Sequence, residues 1–275
     1  SPVAKNLANN RYFPHIRAHK QWKQGIQGYL ASIYFADAML GRVLDALEKG
    51  PHADNTIVAL WSDHGWHLGE KEHWQKFTTW RVCSRVPFIL RVPKGTPGLA
   101  GGTQPASCAK PVNLRSLAPT LLQLCGLPPR KVHDGPSLVP LLSNPKAEWP
   151  HVALTHLHHP GSYGLSVEGW RYLRFKDDAE ELYDMANDPH EWNNLAPLDK
   201  HRKTLDRLRS LAPKTFAKPV EAKVDSLPSL QWKPLAEEAK APPSKPDGGS
   251  FEVIFVNQSK GKVQLLWMDR TGGRK

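Results

Sequence analysis

Apolar and polar positions alternate most regularly between residues 22 and 48, where apolar side chains recur at steps of three and four. The apolar positions are Ile26, Tyr29, Leu30, Ile33, Ala36, Leu40, Val43, Leu44 and Leu47. Such a repeat predicts an amphipathic helix that packs one face against a sheet. Gly50-Pro51 ends the helix. Asp37, which lies on this helix, is expected to pair with a nearby base.

Two short apolar runs follow the helix and predict two strands. Residues 56–61 are β-branched or apolar and carry no charge, which is typical of a buried parallel strand. Residues 86–92 form the second run. Between the runs lie Asp63 and His64, directly after the first strand, and Lys76. Because open α/β sheets bind ligands at the carboxyl ends of their strands, this loop is the candidate site.

The remaining pattern divides the chain further. Residues 112–124 predict a short strand and a helix, after which Gly126 is expected as a C-terminal cap. Residues 165–175 alternate in the manner of a hairpin, and a helix is expected near residues 203–211. Seven prolines between residues 213 and 250 predict a linker. The expected units are 1–145, 146–212, 213–250 and 251–275, the last beginning a β-sandwich module.

Composition places the chain among globular proteins, since 40% of its 275 residues are hydrophobic and 23% are charged. The net charge of +11 favours an anionic partner. The basic residues are scattered and no nucleic-acid motif is present, so a solvated basic surface is the simpler interpretation and no nucleic-acid partner is expected. Three cysteines without metal-type spacing argue against a disulfide framework. No apolar run reaches the roughly 18 residues of a membrane span.

The loop between the two predicted strands resembles the type I sulfatases of the alkaline phosphatase superfamily, especially the branch similar to iduronate-2-sulfatase. The matching residues are Ser62-Asp63-His64-Gly65-Trp66, Leu68-Gly69-Glu70, Trp74, Lys76 and Arg85-Val86-Pro87-Phe88, followed by Glu181-Leu182-Tyr183-Asp184, Asn187-Asp188-Pro189-His190-Glu191 and Asn194-Leu195. The resemblance implies an α/β fold, with an alkaline-phosphatase-like mixed sheet flanked by helices. It also implies a small antiparallel C-terminal subdomain.

The resemblance also implies roles for particular residues. Asp63 and His64 would be ligands of a divalent cation, usually Ca²⁺, and Lys76 would be a catalytic residue that contacts the sulfate. Substrate contacts are expected from His67, His156 and His158. Asp63 suits a hard cation, whereas imidazole favours softer metals, so His64 would alternatively hydrogen-bond the substrate. In a purely structural interpretation, Asp63 caps the next helix and His64 packs.

The nucleophile of this family is a formylglycine made from Cys or Ser in a C-x-P-S-R or S-x-P-S-R motif. Neither motif occurs in the chain, so the formylglycine and two further aspartate ligands are expected upstream of Ser1, in a longer protein. Cys83-Ser84-Arg85 lacks the proline and is interpreted as structural. Family resemblance further implies a periplasmic or secreted location.

The predicted function is therefore that of a sulfuric ester hydrolase acting on a sulfated carbohydrate. The alternatives are a phosphodiesterase or phosphonate hydrolase of the same superfamily, or a non-catalytic binding remnant. Arg81 stands where relatives tend to carry an acidic residue, so their substrate preferences do not transfer directly. Residues 251–275 resemble the opening hairpin of the von Hippel–Lindau β domain, which implies a module that binds a partner.

Overall fold

The computed structural model describes Val3 and residues 12–157 and 160–217. The described residues all lie within one compact unit, Ser1–Pro219. The predicted β module, nearly all of the predicted linker and His158 lie outside the described residues.

The described part of the chain contains six α-helices. They are α1 (Tyr12–Ala18), α2 (Trp22–Glu48), α3 (Arg81–Ser84), α4 (Leu117–Leu124), α5 (Val139–Ser143) and α6 (Arg202–Leu211). Single 3₁₀ turns occur at Ala53–Asn55, Glu70–Glu72, Leu114–Ser116 and Asp199–His201. Among the described residues, no helix has the length and apolarity needed to cross a membrane.

Helix α2 has the bounds that its apolar repeat predicts. It ends where the N–H of Gly50 donates to the carbonyl of Leu47 at 3.0 Å. Its N-terminal end is fastened to the candidate loop, since Trp22 Nε1 donates to the carbonyl of Leu68 at 2.6 Å. No residue of α2 is buried within the described residues. The expected packing of its apolar face against a sheet is therefore not seen there.

The part of the chain that the structure describes has eight strands, which form three antiparallel sheets. The strands are β1 (Val58–Trp61), β2 (His67–Leu68), β3 (Trp74–Gln75), β4 (Phe88–Arg91), β5 (Ala153–His156), β6 (Tyr163–Val167), β7 (Trp170–Arg174) and β8 (Glu180–Asp184). β1 pairs with β4, β2 pairs with β3, and β5 to β8 form a four-stranded sheet in sequence order.

The prediction of a buried parallel strand at residues 56–61 differs from the structure. β1 runs antiparallel to β4, with Trp61 opposite Phe88, and Trp61 is 47% exposed. An apolar run indicates burial but does not specify the direction of the neighbouring strand. Here the chain reverses through the loop between the two strands, so they pair antiparallel.

The four-stranded sheet agrees with the antiparallel C-terminal subdomain implied by the resemblance. On one face, Leu165, Tyr172 and Leu182 stand opposite one another on β6, β7 and β8. Leu205 and Leu208 of α6 pack against them, and all five residues are buried. Alternation along the strands puts these residues on one side because successive side chains point to opposite faces.

The other face of the same sheet supports the candidate loop. Leu173, Phe175 and Tyr183 cluster there with Trp80, which immediately precedes α3. Trp80 is 3% exposed, and its Nε1 donates to Glu181 Oε2 at 2.8 Å. The C-terminal sheet therefore fixes the segment that follows Lys76.

Two boundaries near the predicted elements can be compared directly. Gly126 has a φ of +67°, as expected for the cap of α4. The short strand predicted before α4 is absent from the described residues, where Leu114–Ser116 forms a 3₁₀ turn. Asn113 explains the turn, because its side chain accepts from the N–H of Arg115 at 2.9 Å.

Phe216 stacks on Tyr163, so the packed chain extends slightly past residue 212.

Candidate active site

A cleft of about 1240 Å³ lies beside the end of β1. The loop after β1 contributes Asp63, His64 and Lys76 to its lining. Helix α3 contributes Arg81, and β5 contributes His156. The chain thus brings three separate segments to one concavity.

A tight turn after β1 carries Asp63 and His64 to this cleft. Ser62 Oγ donates to the carbonyl of His64 at 2.9 Å, and the N–H of Gly65 donates to the carbonyl of Cys83 at 2.7 Å. A Cβ atom on Gly65 would lie 2.1 Å from the carbonyl oxygen of Val82. Only glycine permits this close approach of the turn to α3.

His64 contacts both Asp63 and Lys76. Lys76 Nζ lies 2.9 Å from His64 Nε2, and Asp63 Oδ2 lies 3.4 Å from the same nitrogen. His64 Nδ1 is 2.9 Å from the carbonyl oxygen of Gly65. Because a carbonyl only accepts and an ammonium group only donates, these two contacts match the tautomer of His64 that has its proton on Nδ1 and leaves Nε2 as an acceptor.

The purely structural interpretation of Asp63 does not hold in this geometry. The next element after Asp63 is the strand β2, so Asp63 caps no helix. Its Oδ1 accepts the adjacent N–H of His64 at 3.0 Å, and its side chain is 80% exposed. A carboxylate in this position faces the cleft and has capacity to bind a cation.

The donor atoms of Asp63 and His64 fit one part of a cation site. Two ligand atoms at right angles, each about 2.4 Å from a calcium ion, are about 3.4 Å apart. Asp63 Oδ2 and His64 Nε2 have this separation. Within residues 12–157 and 160–217, no group of three or more His, Cys, Asp or Glu residues could hold a metal. Calcium takes roughly six to eight ligands, so these two residues form part of a ligand set.

The backbone around Lys76 is held in an unusual conformation. Gln75 and Phe77, on either side of Lys76, have φ values of +82° and +71°. Such left-handed conformations cost energy in residues other than glycine and often occur at functional sites. His73 helps to hold the turn, since its Nε2 lies 3.0 Å from the carbonyl oxygen of Lys76.

His67 differs from its expected role in substrate contact. It is fully buried, its Nε2 lies 2.7 Å from Thr78 Oγ1, and its Nδ1 lies 3.1 Å from the carbonyl oxygen of Glu70. Burial lowers the pKa of His67 to about 4, with a smaller contribution from His73. Because both ring nitrogens are used within the protein, His67 supports Thr78 instead of reaching a substrate.

His156 is the one other predicted substrate residue that the structure describes. It is exposed at the end of β5 and lines the cleft. Its ring lies perpendicular to that of Phe216, with 6.0 Å between centroids. This position permits contact with a bound molecule.

Sequence reasoning missed a buried ion pair behind the cleft. Arg171 Nε donates to Glu191 Oε1 at 2.7 Å, and the two side chains are 7% and 3% exposed. The other nitrogens of Arg171 donate to Ser166 Oγ and the carbonyl of Thr79. Glu191 Oε2 accepts the N–H of Arg81 at 2.6 Å. This network fixes the segment from Thr79 to Arg81. Glu191 belongs to the motif that resembles the sulfatases, which was the available signal.

The cleft is strongly cationic. Among the described residues, Asp63 is the one carboxylate in its lining, although Glu191 and Glu168 outside the lining pair with Arg171 and Lys110. The Lys and Arg residues in its lining are Lys76, Arg81, Arg85, Lys110 and Arg171. A low-dielectric cleft with one predominant sign of charge concentrates ligands of the opposite sign. The arrangement therefore favours an anionic ligand.

Comparisons with known proteins identify the family to which the chain belongs. A family model described as "Sulfatase" matches residues 5–127, and one described as "N-sulphoglucosamine sulphohydrolase, C-terminal" matches residues 69–215. The second model covers more than half of the chain. The chain belongs to the sulfatase family.

Curated relatives agree with this assignment. The chain is 39% identical over 197 residues to a sulfatase from Formosa agariphila, covering 72% of this chain and 37% of the relative. It is 33% identical over 207 residues to an N-acetylglucosamine-6-O-sulfatase from Bacteroides thetaiotaomicron, covering 71% of this chain and 36% of the relative. An iduronate 2-sulfatase from Mus musculus is 41% identical over 120 residues, covering 37% and 22% of the two chains. The chain thus spans just over a third of the length of the first two relatives.

Solved structures show the fold class. A protein in complex with its substrate D-glucosamine-2-N,6-O-disulfate matches with a TM-score of 0.56 and 30% identity, over 69% of this chain and 40% of that protein. A phosphonate monoester hydrolase from Agrobacterium radiobacter matches with a TM-score of 0.51 and 27% identity, over 64% and 38% of the two chains. The expected alkaline-phosphatase-like α/β fold is confirmed, with this chain forming part of it.

Proposed function

We propose that a protein containing this chain hydrolyses a sulfate ester of a carbohydrate. The observation that carries the proposal is the contact of Lys76 with His64, beside Asp63, in a cleft lined by five Lys and Arg residues and one carboxylate. Two relatives support it by their names, an N-acetylglucosamine-6-O-sulfatase and the protein bound to D-glucosamine-2-N,6-O-disulfate.

Lys76 holds the sulfate group in this proposal. An ammonium group has three hydrogen-bond donors, and His64 Nε2 accepts one of them in the structure. Because Lys76 lines the cleft, its other two donors would bind oxygen atoms of the sulfate group. Negative charge grows on the sulfate and leaving-group oxygens as the ester bond breaks, and a fixed cation stabilises this charge most in a site shielded from water.

Asp63 and His64 would hold the divalent cation that the family resemblance implies. When bound, Ca²⁺ would screen the sulfate charge, and a formylglycine outside this chain would supply the nucleophile. Asp63 contributes the anionic oxygen that a hard cation prefers. His64 would contribute Nε2, which is an acceptor in the tautomer that matches its contacts with Gly65 and Lys76. A periplasmic or secreted location forms part of the same proposal.

A phosphonate ester hydrolase is the second candidate. The similarity to the phosphonate monoester hydrolase from Agrobacterium radiobacter favours it. Sulfate and phosphonate esters are both tetrahedral anions, so the same cationic cleft would attract either. Both monoesters carry one negative charge near neutral pH and differ in the bond that breaks, S–O or P–O, so only turnover distinguishes them.

The test measures kcat/KM in a longer protein that includes this chain and carries the family nucleophile motif. Substrates are N-acetylglucosamine 6-sulfate and a phenyl phosphonate monoester. The proposal expects the sulfate ester to be the better substrate, and Lys76→Gln to lower kcat/KM by about 100-fold or more. Preference for the phosphonate ester would favour the second candidate. Binding of the sulfated sugar without turnover of either ester would identify a non-catalytic binding protein.

A further inference from the structure

Arg81 and Arg85 form a guanidinium pair on one wall of the cleft, separate in sequence from Lys76. Both residues line the cleft. They lie one helical turn apart, because the N–H of Arg85 donates to the carbonyl of Arg81 at 2.7 Å at the end of α3. Side chains four residues apart on a helix lie on the same face.

Neither guanidinium group of this pair is neutralised by a carboxylate among the described residues. Arg171 and Lys110, also in the cleft, pair with Glu191 at 2.7 Å and with Glu168 at 2.8 Å. No corresponding ion pair joins Arg81 or Arg85 to a described acidic residue. Glu191 lies close to Arg81, but its two oxygens accept from the Arg171 side chain and the Arg81 backbone N–H.

The position of Arg81 is fixed before any ligand binds. Its backbone N–H is held by Glu191, and its Nη1 donates to the carbonyl of Pro189 at 3.2 Å. Among the described residues, no carboxylate accepts from its guanidinium N–H groups. Burial lowers the pKa of Arg81 most, and the like charge of Arg85 lowers it further, while the nearby Glu191 acts in the opposite direction. Two adjacent, like-charged groups in a cleft repel each other until an anion binds between them.

We propose that Arg81 and Arg85 form a second anion subsite, which binds a sulfate or carboxylate group of the substrate other than the sulfate held by Lys76. This inference rests on the proposed function, and it assigns the substrate to carbohydrates that carry at least two anionic groups. Guanidinium groups suit this role because their planar donors match the oxygens of sulfate and carboxylate.

The test compares the binding of three probes to the 275-residue chain by isothermal titration calorimetry. N-acetylglucosamine 6-sulfate carries one anion, and glucosamine 2-N,6-O-disulfate carries two sulfates. A disaccharide of glucosamine 6-sulfate and a uronic acid carries a sulfate and a carboxylate. The subsite predicts about tenfold tighter binding of at least one two-anion probe than of the one-anion probe. The probe that gains affinity shows whether the second anion is a sulfate or a carboxylate.

The variant Arg81→Gln with Arg85→Gln should remove this preference, because it should weaken the binding of the preferred two-anion probe about tenfold more than that of N-acetylglucosamine 6-sulfate. The substitution at Arg81 keeps the backbone N–H that donates to Glu191. Arg85→Gln alone serves as a second variant, which removes one charge of the pair at an exposed position. Thermal unfolding checks that each variant is folded. Arg115→Gln with Arg130→Gln removes the same charge at exposed positions outside the cleft, and it should retain the preference.

The inference is overturned if the wild-type chain shows no preference for either two-anion probe, or if the preference survives in the Arg81 and Arg85 variant. It is also overturned if the control variant loses the preference equally, because general charge would then explain the binding. The variant Lys76→Gln separates this result from the proposed function. Lys76→Gln should weaken the binding of all three probes alike. Unchanged binding of the one-anion probe would contradict the role of Lys76 but not the second anion subsite.

Discussion

Lys76 Nζ donates to His64 Nε2 across 2.9 Å, so the proposed sulfate-binding cation and a proposed metal ligand share one contact. The lone pair of Nε2 that faces Lys76 is the same lone pair that a metal ion would use. A cation bound by Asp63 and His64 would therefore release Lys76 from His64 and leave its ammonium group to the substrate. This relationship connects metal binding and sulfate binding at one nitrogen.

Replacing Lys76 should weaken the binding of sulfated sugars. Lys76→Gln is expected to lower the affinity of the 275-residue chain for N-acetylglucosamine 6-sulfate by about tenfold, because a hydrogen bond to a charged group is lost. Calorimetry at low salt measures the change. Lys94→Gln is the matched control, since Lys94 is exposed and does not line the cleft. Equal loss in both variants would contradict a specific role for Lys76.

Replacing Asp63 should weaken the binding of calcium. Asp63→Asn keeps the shape of the side chain but removes the anionic oxygen, so a longer protein containing this chain should bind Ca²⁺ at least about tenfold more weakly. Asp54→Asn, at an exposed aspartate in the 3₁₀ turn Ala53–Asn55, should leave the affinity unchanged. Calorimetric titration with Ca²⁺ measures both. An unchanged dissociation constant in Asp63→Asn would rule out the proposed ligand.

Replacing Arg171 should strongly destabilise the fold. Arg171→Met leaves Glu191 buried without its charge partner, which is expected to lower the free energy of unfolding by about 3–5 kcal/mol. Urea unfolding measures the loss. Asp178→Asn breaks the exposed ion pair of Arg174 and Asp178 and should cost less than about 1 kcal/mol. Similar losses in the two variants would show that burial does not distinguish the pairs.

His67 should make the fold sensitive to acid. Its folded pKa of about 4 lies below its ordinary value of 6.5, so the unfolded chain binds more protons between these values. The free energy of unfolding therefore falls as the pH drops through this window, by about 3 kcal/mol for this residue. The loss is complete only below the folded pKa.

Urea unfolding at several pH values tests this contribution. His67→Gln should unfold more easily near neutral pH, since it loses the fit of the ring against Thr78, but its stability should change less between about pH 7 and pH 4. His151→Gln, at an exposed histidine, should keep the wild-type pH dependence. An equally steep loss in His67→Gln would assign the acid sensitivity to other groups.

The sequence predicts the local elements of this fold better than their partners. The bounds of α2 follow from its apolar repeat, and Gly126 ends α4 where a left-handed residue is required. Both features depend on neighbouring residues alone. The direction of β1 depends on which strand lies beside it, and the apolar run at residues 56–61 contains no information about that.

The candidate site likewise contains features that the sequence predicts and features that depend on distant partners. Asp63, His64 and Lys76 were expected near one strand end, and the structure brings them into contact. The burial of His67 was not predicted, because a histidine in a polar loop gives no sign that both its nitrogens are used. The pair Arg171 and Glu191 joins residues 20 positions apart, and charged side chains are rarely expected in a core.

A crystal structure of a longer protein containing this chain, with Ca²⁺ and a sulfated glucosamine bound, tests the central claim most directly. The account predicts Ca²⁺ coordinated by Asp63 and His64, with a sulfate oxygen within hydrogen-bond distance of Lys76 Nζ. A sulfate group bound elsewhere, with Lys76 still donating to His64 and no cation at Asp63, would contradict it.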